Sequence, residues 1–210
     1  MSSNTEFEYA NIFYRSRLTL MELLESRGYE VSPYKRFSPK ETAAMSTYLH
    51  SADFVAPHSE DPDQKCIVLY MDSKPKGSMS EHVMKRLKDP DFAKTDVIIM
   101  YKDTIGDAFA VAALNDWVTH RLRVSYFSIY NLANNPTKHV LVPPHEKVPE
   151  EEHEALLTKL MVNAKSQLPH IKFHIDMQAR WLGLVPGDIV KITRPSPSAG
   201  VYTVYRVCTV

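Results

Sequence analysis

Apolar residues in the first fifty positions recur at helical spacing. Between Tyr9 and Arg27, Phe13, Leu20, Met21 and Leu24 share one face, and Gly28 follows as a stop, which predicts a helix. Ser38-Pro39-Lys40-Glu41 predicts a second start. A serine cap is followed by proline at the first helical position and by a glutamate that can return to the cap's own N–H. That helix runs to about His50. The period then changes. Cys66 to Met71 and Asp96 to Tyr101 are short apolar runs of buried-strand type, while Leu122, Val124 and Tyr126 alternate as in a half-exposed strand. Helices separate these runs. A box at Ser78 and Glu81 opens one that reaches about Leu87, and Gly106 to Trp117 carries Phe109, Ala113 and Trp117 four apart. Strands alternating with helices predict an α/β layer with a small, partly parallel sheet.

Asn134-Asn135-Pro136 interrupts this pattern as a linker signal, so the chain is expected to divide into an N-terminal domain, 1–137, and a C-terminal domain, 138–210. In the second, Pro149 and the acidic run Glu150, Glu151, Glu152 and Glu154 predict a helix start, because acids favour the positive end of the helix dipole. Leu156, Leu157, Leu160 and Met161 are its predicted buried stripe. Asp176 then caps a short helix bearing Ala179, Trp181 and Leu182, with Gly183 as a left-handed stop and Pro186-Gly187 as a tight turn. Two strands close the chain, Ile189 to Thr193 and Val201 to Val207. In the second, Val201, Thr203, Tyr205 and Val207 point one way and Tyr202, Val204, Arg206 and Cys208 the other. Pro195 to Gly200 is predicted as the loop between them, since proline does not sit in a central strand. The fold class is α/β, α+β overall: an N-terminal α/β domain with a small mixed sheet, and a small C-terminal α+β domain ending in a hairpin.

Composition narrows the function classes. The 210 residues are 44% hydrophobic, enough for real cores, and 25 bases balance 25 acids, so bulk charge implies no non-specific nucleic-acid binding. From Lys165 onward, however, six bases face two acids. Cys66 and Cys208 lie far apart in strand-like runs and read as two buried free thiols of an intracellular protein. The N-terminus has no basic apolar leader, and no apolar run approaches the ~20 residues of a membrane span, so no membrane partner is expected.

The C-terminal stretch carries a resemblance. Gln167-Leu168-Pro169, Ala179-Arg180, Leu182-Gly183-Leu184, Gly187-Asp188, Val190-Lys191-Ile192, Arg194-Pro195-Ser196, Ala199-Gly200 and Tyr205-Arg206 look like the C-terminal domain of the small subunit shared by the three eukaryotic nuclear RNA polymerases, and like its counterpart in archaeal RNA polymerase. His139 to His145 is similar to the opening of that domain, and Arg27-Gly28-Tyr29 and Val31 to the end of the family's first helix. His170, Asp176-Met177 and Pro197-Ser198 depart from the family pattern, which implies a divergent member, from a distant eukaryote or a large DNA virus.

The resemblance implies a non-catalytic subunit of a DNA-directed RNA polymerase that needs no cofactor. Its C-terminal domain is expected to dock on the largest subunit, among other polymerase subunits, with Arg180, Lys191, Arg194, Tyr205 and Arg206 as docking residues. Its N-terminal domain is expected to shape the jaw beside downstream duplex DNA. There a loop containing Thr104 and Gly106 would meet phosphates weakly, at a helix start. The plain reading of that loop is a helix cap at or near Thr104. The expected location is the nucleus, or host cytoplasm and virion for a viral source.

Other chemistry has thinner support. His139, His145, His170 and His174 lack the thiolate spacing of a zinc site, and neither a Gly-x-Ser-x-Gly elbow nor a phosphate-cradling glycine loop occurs. Pro62-Asp63 followed by Asp72-Ser73-Lys74 has the letters of a Mg-dependent nuclease, in which two carboxylates hold the metal and the lysine activates water. The resemblance implies a nuclease-like fold for this domain without the activity. A nuclease, or a free protein-interaction module, is the alternative function.

Overall fold

The computed structural model describes residues 3–72, 79–87, 94–198 and 200–210. They fall into two compact units, Met1–Asn135 and Pro136–Val210, each with its own four-stranded sheet.

The first unit opens with α1, Ser3–Ser26, which starts earlier than the apolar spacing predicts. It ends as Gly28 turns left-handed at φ +86°. A β-carbon there would lie 2.6 Å from His58 Nε2, so any other residue would have to displace that ring as well as strain the backbone. Helix α2, Pro39–Thr47, begins with the predicted box: Ser38 Oγ accepts from Glu41 N, and the Glu41 carboxylate accepts from Ser38 N at 2.7 Å. A 3-10 turn, Leu49–Ala52, takes over before His50. The remaining elements are β1 (Phe54–Pro57), β2 (Lys65–Met71), α3 (Met79–Arg86), β3 (Thr95–Tyr101), α4 (Asp107–His120) and β4 (Arg123–Ser128). Ser78, the predicted cap of α3, lies outside the described residues.

The sheet order is β1-β2-β3-β4, with β2, β3 and β4 parallel and β1 antiparallel at the edge. Strand β1 has no counterpart in the predicted elements. Its four residues alternate buried and exposed, too short a run to stand out. Strand β4 is not half-exposed as its alternation predicts. Ser125, Phe127 and Ser128 are as buried as Val124 and Tyr126. Helices cover both faces of the sheet, as parallel sheets require. Phe13 of α1 packs on Tyr70, ring centroids 5.4 Å apart, on one face. On the other, Phe109 of α4 lies 5.1 Å from Tyr101 and 5.3 Å from Tyr126.

A buried polar cluster ties α1 to the sheet. Asp96, at the start of β3, accepts from Tyr29 Oη at 2.7 Å and from Arg123 Nε at 2.8 Å. Burial pushes the Tyr29 phenol up and the Arg27 guanidinium down, and Asp96 acts on both.

The second unit contains β5 (His145–Lys147), α5 (His153–Lys159), β6 (His170–Lys172), α6 (Met177–Leu182), β7 (Ile189–Ser196) and β8 (Gly200–Thr209), with sheet order β5-β7-β8-β6. Helix α5 is preceded by a 3-10 turn over the acidic run, Glu150–Glu152. It stops at Lys159, and Met161 turns left-handed and is 93% exposed, so the predicted stripe reduces to Leu156 and, in part, Leu157. Those two pack with Val148, Leu168, Ile189, Val207 and Tyr205 on one face of the sheet. The other face holds Ile171, Val190, Ile192 and Cys208, all buried. Both cysteines are free and buried, and burial pushes each thiol up, Cys208 to about 12. Among the described residues no helix is long and apolar enough to cross a membrane.

Asp96→Ala should destabilise the first unit by about 3 kcal/mol, because it strands Arg123 and the Tyr29 hydroxyl without their shared acceptor. Urea denaturation followed through Trp117 should show a lower midpoint at unchanged slope. A wild-type midpoint would mean that the cluster contributes nothing net.

Candidate functional site

The C-terminal unit builds its surface on a chain of local commitments. Asp176 Oδ1 accepts from Gln178 N at 2.8 Å and Ala179 N at 3.4 Å, capping α6, and Gly183 closes it at φ +62°. Asp188, after the Pro186-Gly187 turn, accepts from Val185 N at 2.8 Å and from Lys147 Nζ at 2.8 Å. The turn thus delivers β7 in a fixed register against β5 and β8.

Pro195 and Ser196 belong to β7, correcting the predicted loop. Thr193 N donates to Pro144 O on the β5 side, so Pro195, two residues on, also turns its nitrogen away from β8. Strand β5 pairs only with Val190, Lys191 and Ile192. The missing N–H of Pro195 therefore falls on an open edge, where proline is tolerated.

The register distributes four of the five expected docking residues over two faces. Lys191 and Tyr205 are paired and share the face that holds Leu156 and Leu168. Lys191 Nζ is 3.1 Å from Glu146 Oε2, directly across from it on β5. Arg206 and Arg194 lie on the opposite face. Arg206 Nη1 donates to His170 O at 3.0 Å, joining β8 to β6, and Arg194 is exposed. Arg180 on α6 is half-buried. Burial pushes its guanidinium down and Asp176 partly offsets this. Sequence reasoning missed His145, on the same face as Arg194 and Arg206. Its Nδ1 lies 2.7 Å from Pro143 O, and burial, with Arg194 and Arg206 adding, pushes its imidazole down against the opposite pull of that carbonyl and of Asp176. Only pairing across the sheet brings these distant groups together. Also missed were the exposed Val201 and Tyr202 at the outer end of the hairpin.

In the first unit, Thr104 is exposed and does not cap α4. The cap is Gly106, two residues later, with no side-chain bond to the helix. A β-carbon at Gly106 would meet nothing within 4 Å, and Asp107 is the first helical residue. The nuclease letters do not converge. Asp63 precedes β2 and pairs with Lys94 Nζ at 2.9 Å, whereas Asp72 follows the far end of that seven-residue strand. At the rise of a strand, the two carboxylates stand roughly 20 Å or more apart along it, too far to share one Mg²⁺. Lys74 lies outside the described residues. Among the described residues no His, Cys, Asp and Glu group could hold a metal ion.

Comparison with known proteins points to one family. The family model described as RNA polymerase Rpb5, C-terminal domain, matches residues 134–208. A Dictyostelium discoideum protein named as subunit rpabc1 of DNA-directed RNA polymerases I, II and III is 30% identical over 203 residues, covering 96% of this chain and 99% of that protein. The chain belongs to the RPABC1 family of RNA polymerase subunits. Another relative, an Arabidopsis thaliana RNA polymerase V subunit 5C, is 30% identical over 199 residues, 92% of this chain and 82% of its own. The Pyrococcus abyssi polymerase subunit Rpo5 is 52% identical over 73 residues, 35% of this chain but 87% of that protein.

One buried group in this RPABC1-family chain sets a pH response. His174 adopts φ +58° in the turn that leads from β6 to the Asp176 cap and is 6% exposed. Burial, with Arg180 adding, lowers its imidazole to about 3. An unfolded histidine takes its proton near pH 6.5. Between those values the unfolded chain binds the extra proton, so stability is intact above about pH 6.5 and falls as pH drops, by up to ~1.4 kcal/mol per pH unit. His174→Asn removes the titrating group, and asparagine tolerates the left-handed backbone. Urea midpoints read through Trp181 in a Trp117→Phe background should fall less steeply from pH 6.5 to 4.5 in this variant. An identical slope would show that His174 is not the source.

Proposed function

We propose that this chain is a non-catalytic subunit of a multisubunit DNA-directed RNA polymerase, docked on the largest subunit through its C-terminal unit. The observation that carries this reading is the match to Rpo5. That relative aligns over 87% of its length with 73 residues of this chain, a stretch the size of the second unit, and the C-terminal-domain family model covers residues 134–208. On this reading the shared role belongs to the second unit, and the first adds to it. Docking would use the outer hairpin, with Arg194 and Tyr205 at the contact and Arg180, Lys191 and Arg206 as polar groups around it. Lys191 and Arg206 already have partners within the chain.

The first unit would stand as a jaw lobe beside downstream duplex DNA. Exposed Thr104 and the open backbone at Gly106 precede a 14-residue helix whose N-terminal end favours a phosphate. Exposed Asp107 opposes that charge, so the contact is weak and salt-sensitive. The nucleus is the place of action this reading expects.

Affinity purification of the tagged chain at low salt, read by mass spectrometry, should recover the two largest polymerase subunits. Their absence would overturn the reading. Lys191→Ala should leave recovery within about twofold, because exposed ion pairs contribute little. Arg194→Glu should lower it much further. The purified chain should show no Mg-dependent cleavage of DNA, and cutting that vanished in both Asp72→Ala and Lys74→Ala would favour a nuclease instead.

A further inference from the structure

The outer half of the terminal hairpin is a ribbon with two open edges of unequal character. Strand β5 pairs with β7 only at Val190 to Ile192, and β6 pairs with β8 only at Val207 to Thr209. Thr193–Ser196 pair with Gly200–Thr203, and Val204–Arg206 with Val190–Ile192; past those bonds neither Thr193–Ser196 nor Gly200–Arg206 pairs with another described strand. On β7 the open edge is blocked, because the outward position past Thr193 is Pro195, which has no N–H. On β8 the outward set is known from its inner end. Val207 N donates outward to Pro169 O, Thr209 O accepts outward from Phe173 N, and Cys208 N donates inward to Asp188 O. By alternation, Val201, Thr203 and Tyr205 turn their N–H and C=O groups outward, while Tyr202, Val204 and Arg206 bond to β7. No proline interrupts this run. Val201 is 65% and Tyr202 53% exposed.

Natural sheets protect such an edge with proline, charge or a covering element. Here one edge of the ribbon has that protection and its neighbour lacks it, although both lie in one hairpin. We propose that the outer edge of β8, from Val201 to Tyr205, accepts an extended strand of a neighbouring polymerase subunit, which lengthens the sheet in line with β6. This rests on the polymerase-subunit reading above and specifies how the docking is made. The chemistry of the incoming segment follows from the two faces. Arg194 and Arg206 lie on one, so acidic side chains there complement it. Val201, Thr203 and Tyr205 lie on the other, so apolar or β-branched side chains fit it. The segment is proline-free over about five residues, because its own N–H groups complete the ladder.

Hydrogen exchange at single-residue resolution, by mass spectrometry with electron-transfer fragmentation, tests this on the free chain and on the purified complex. In the free chain the amides of Thr203 and Tyr205 should exchange fast and those of Val204 and Arg206 slowly. In the complex Thr203 and Tyr205 should become protected, which leaves no alternation. Thr203→Pro removes an outward N–H without touching the ladder to β7, so the hairpin should keep its slow amides at Val204 and Arg206. Its recovery of polymerase subunits should drop about tenfold or more, whereas Thr203→Val should recover them as wild type does. If the complex forms with Thr203 and Tyr205 still exchanging fast, strand addition is wrong and the polymerase reading stands. If no polymerase subunit is recovered at all, both fall.

Discussion

The β7–β8 ladder is the constraint on which the C-terminal unit depends. It pairs Ile189 with Val207 and runs without interruption to Ser196 and Gly200. A slip of one residue would exchange every side chain between faces. Val207 and Ile189 would leave the cluster with Leu156 and Leu168, and the buried Val190 and Ile192 would leave theirs. The two cores therefore hold the register, and the register decides where each charge goes. Lys191 meets Glu146 and Arg206 meets His170 O because hydrophobic burial has already fixed the strand. The basic surface is a consequence of packing, not a patch assembled by charge.

The same logic runs differently in the first unit. All seven residues of β3 are buried, and helices occupy both faces of its sheet. A strand this enclosed has no side from which to offer chemistry. Its one acidic side chain, Asp96, is held by Tyr29 and Arg123. Exposed polar groups are left to the strand ends and loops, where Thr104, Gly106, Asp63 and Asp72 lie. Those at opposite ends of β2 are too far apart to act together.

Local signals were legible in the sequence wherever the physics was local. The Ser38–Glu41 box, the Asp176 cap and the left-handed Gly28 and Gly183 each depend on atoms within a few residues, and each forms as the pattern predicts. Strands β1, β5 and β6 were not legible. They are three or four residues long, and what makes them strands is a partner far away in the chain, such as Val207 for His170. The alternation in β4 misled for a related reason. Ser125 read as solvent-facing, but the face it shares with Phe127 is covered. Pro195 misled because a proline says which edge is blocked only once the direction of its nitrogen is known. The candidate site was legible as a set of basic residues and not as a geometry, since their division between faces depends on which residue of β8 sits opposite Lys191.

The turn at Pro197-Ser198 bears on which parts of such a surface can change. In a free ribbon, the residues of the turn touch neither core, so they change at little cost to stability. The outward groups of β8 are backbone groups, and no side-chain substitution short of proline removes them. A subunit that docks through such an edge keeps its partner while the side chains around it drift. Affinity would come from the ladder, which is nearly sequence-independent. Specificity would come from Arg194, Arg206 and His145 on one face and Tyr205 on the other, where substitution changes which strand is accepted.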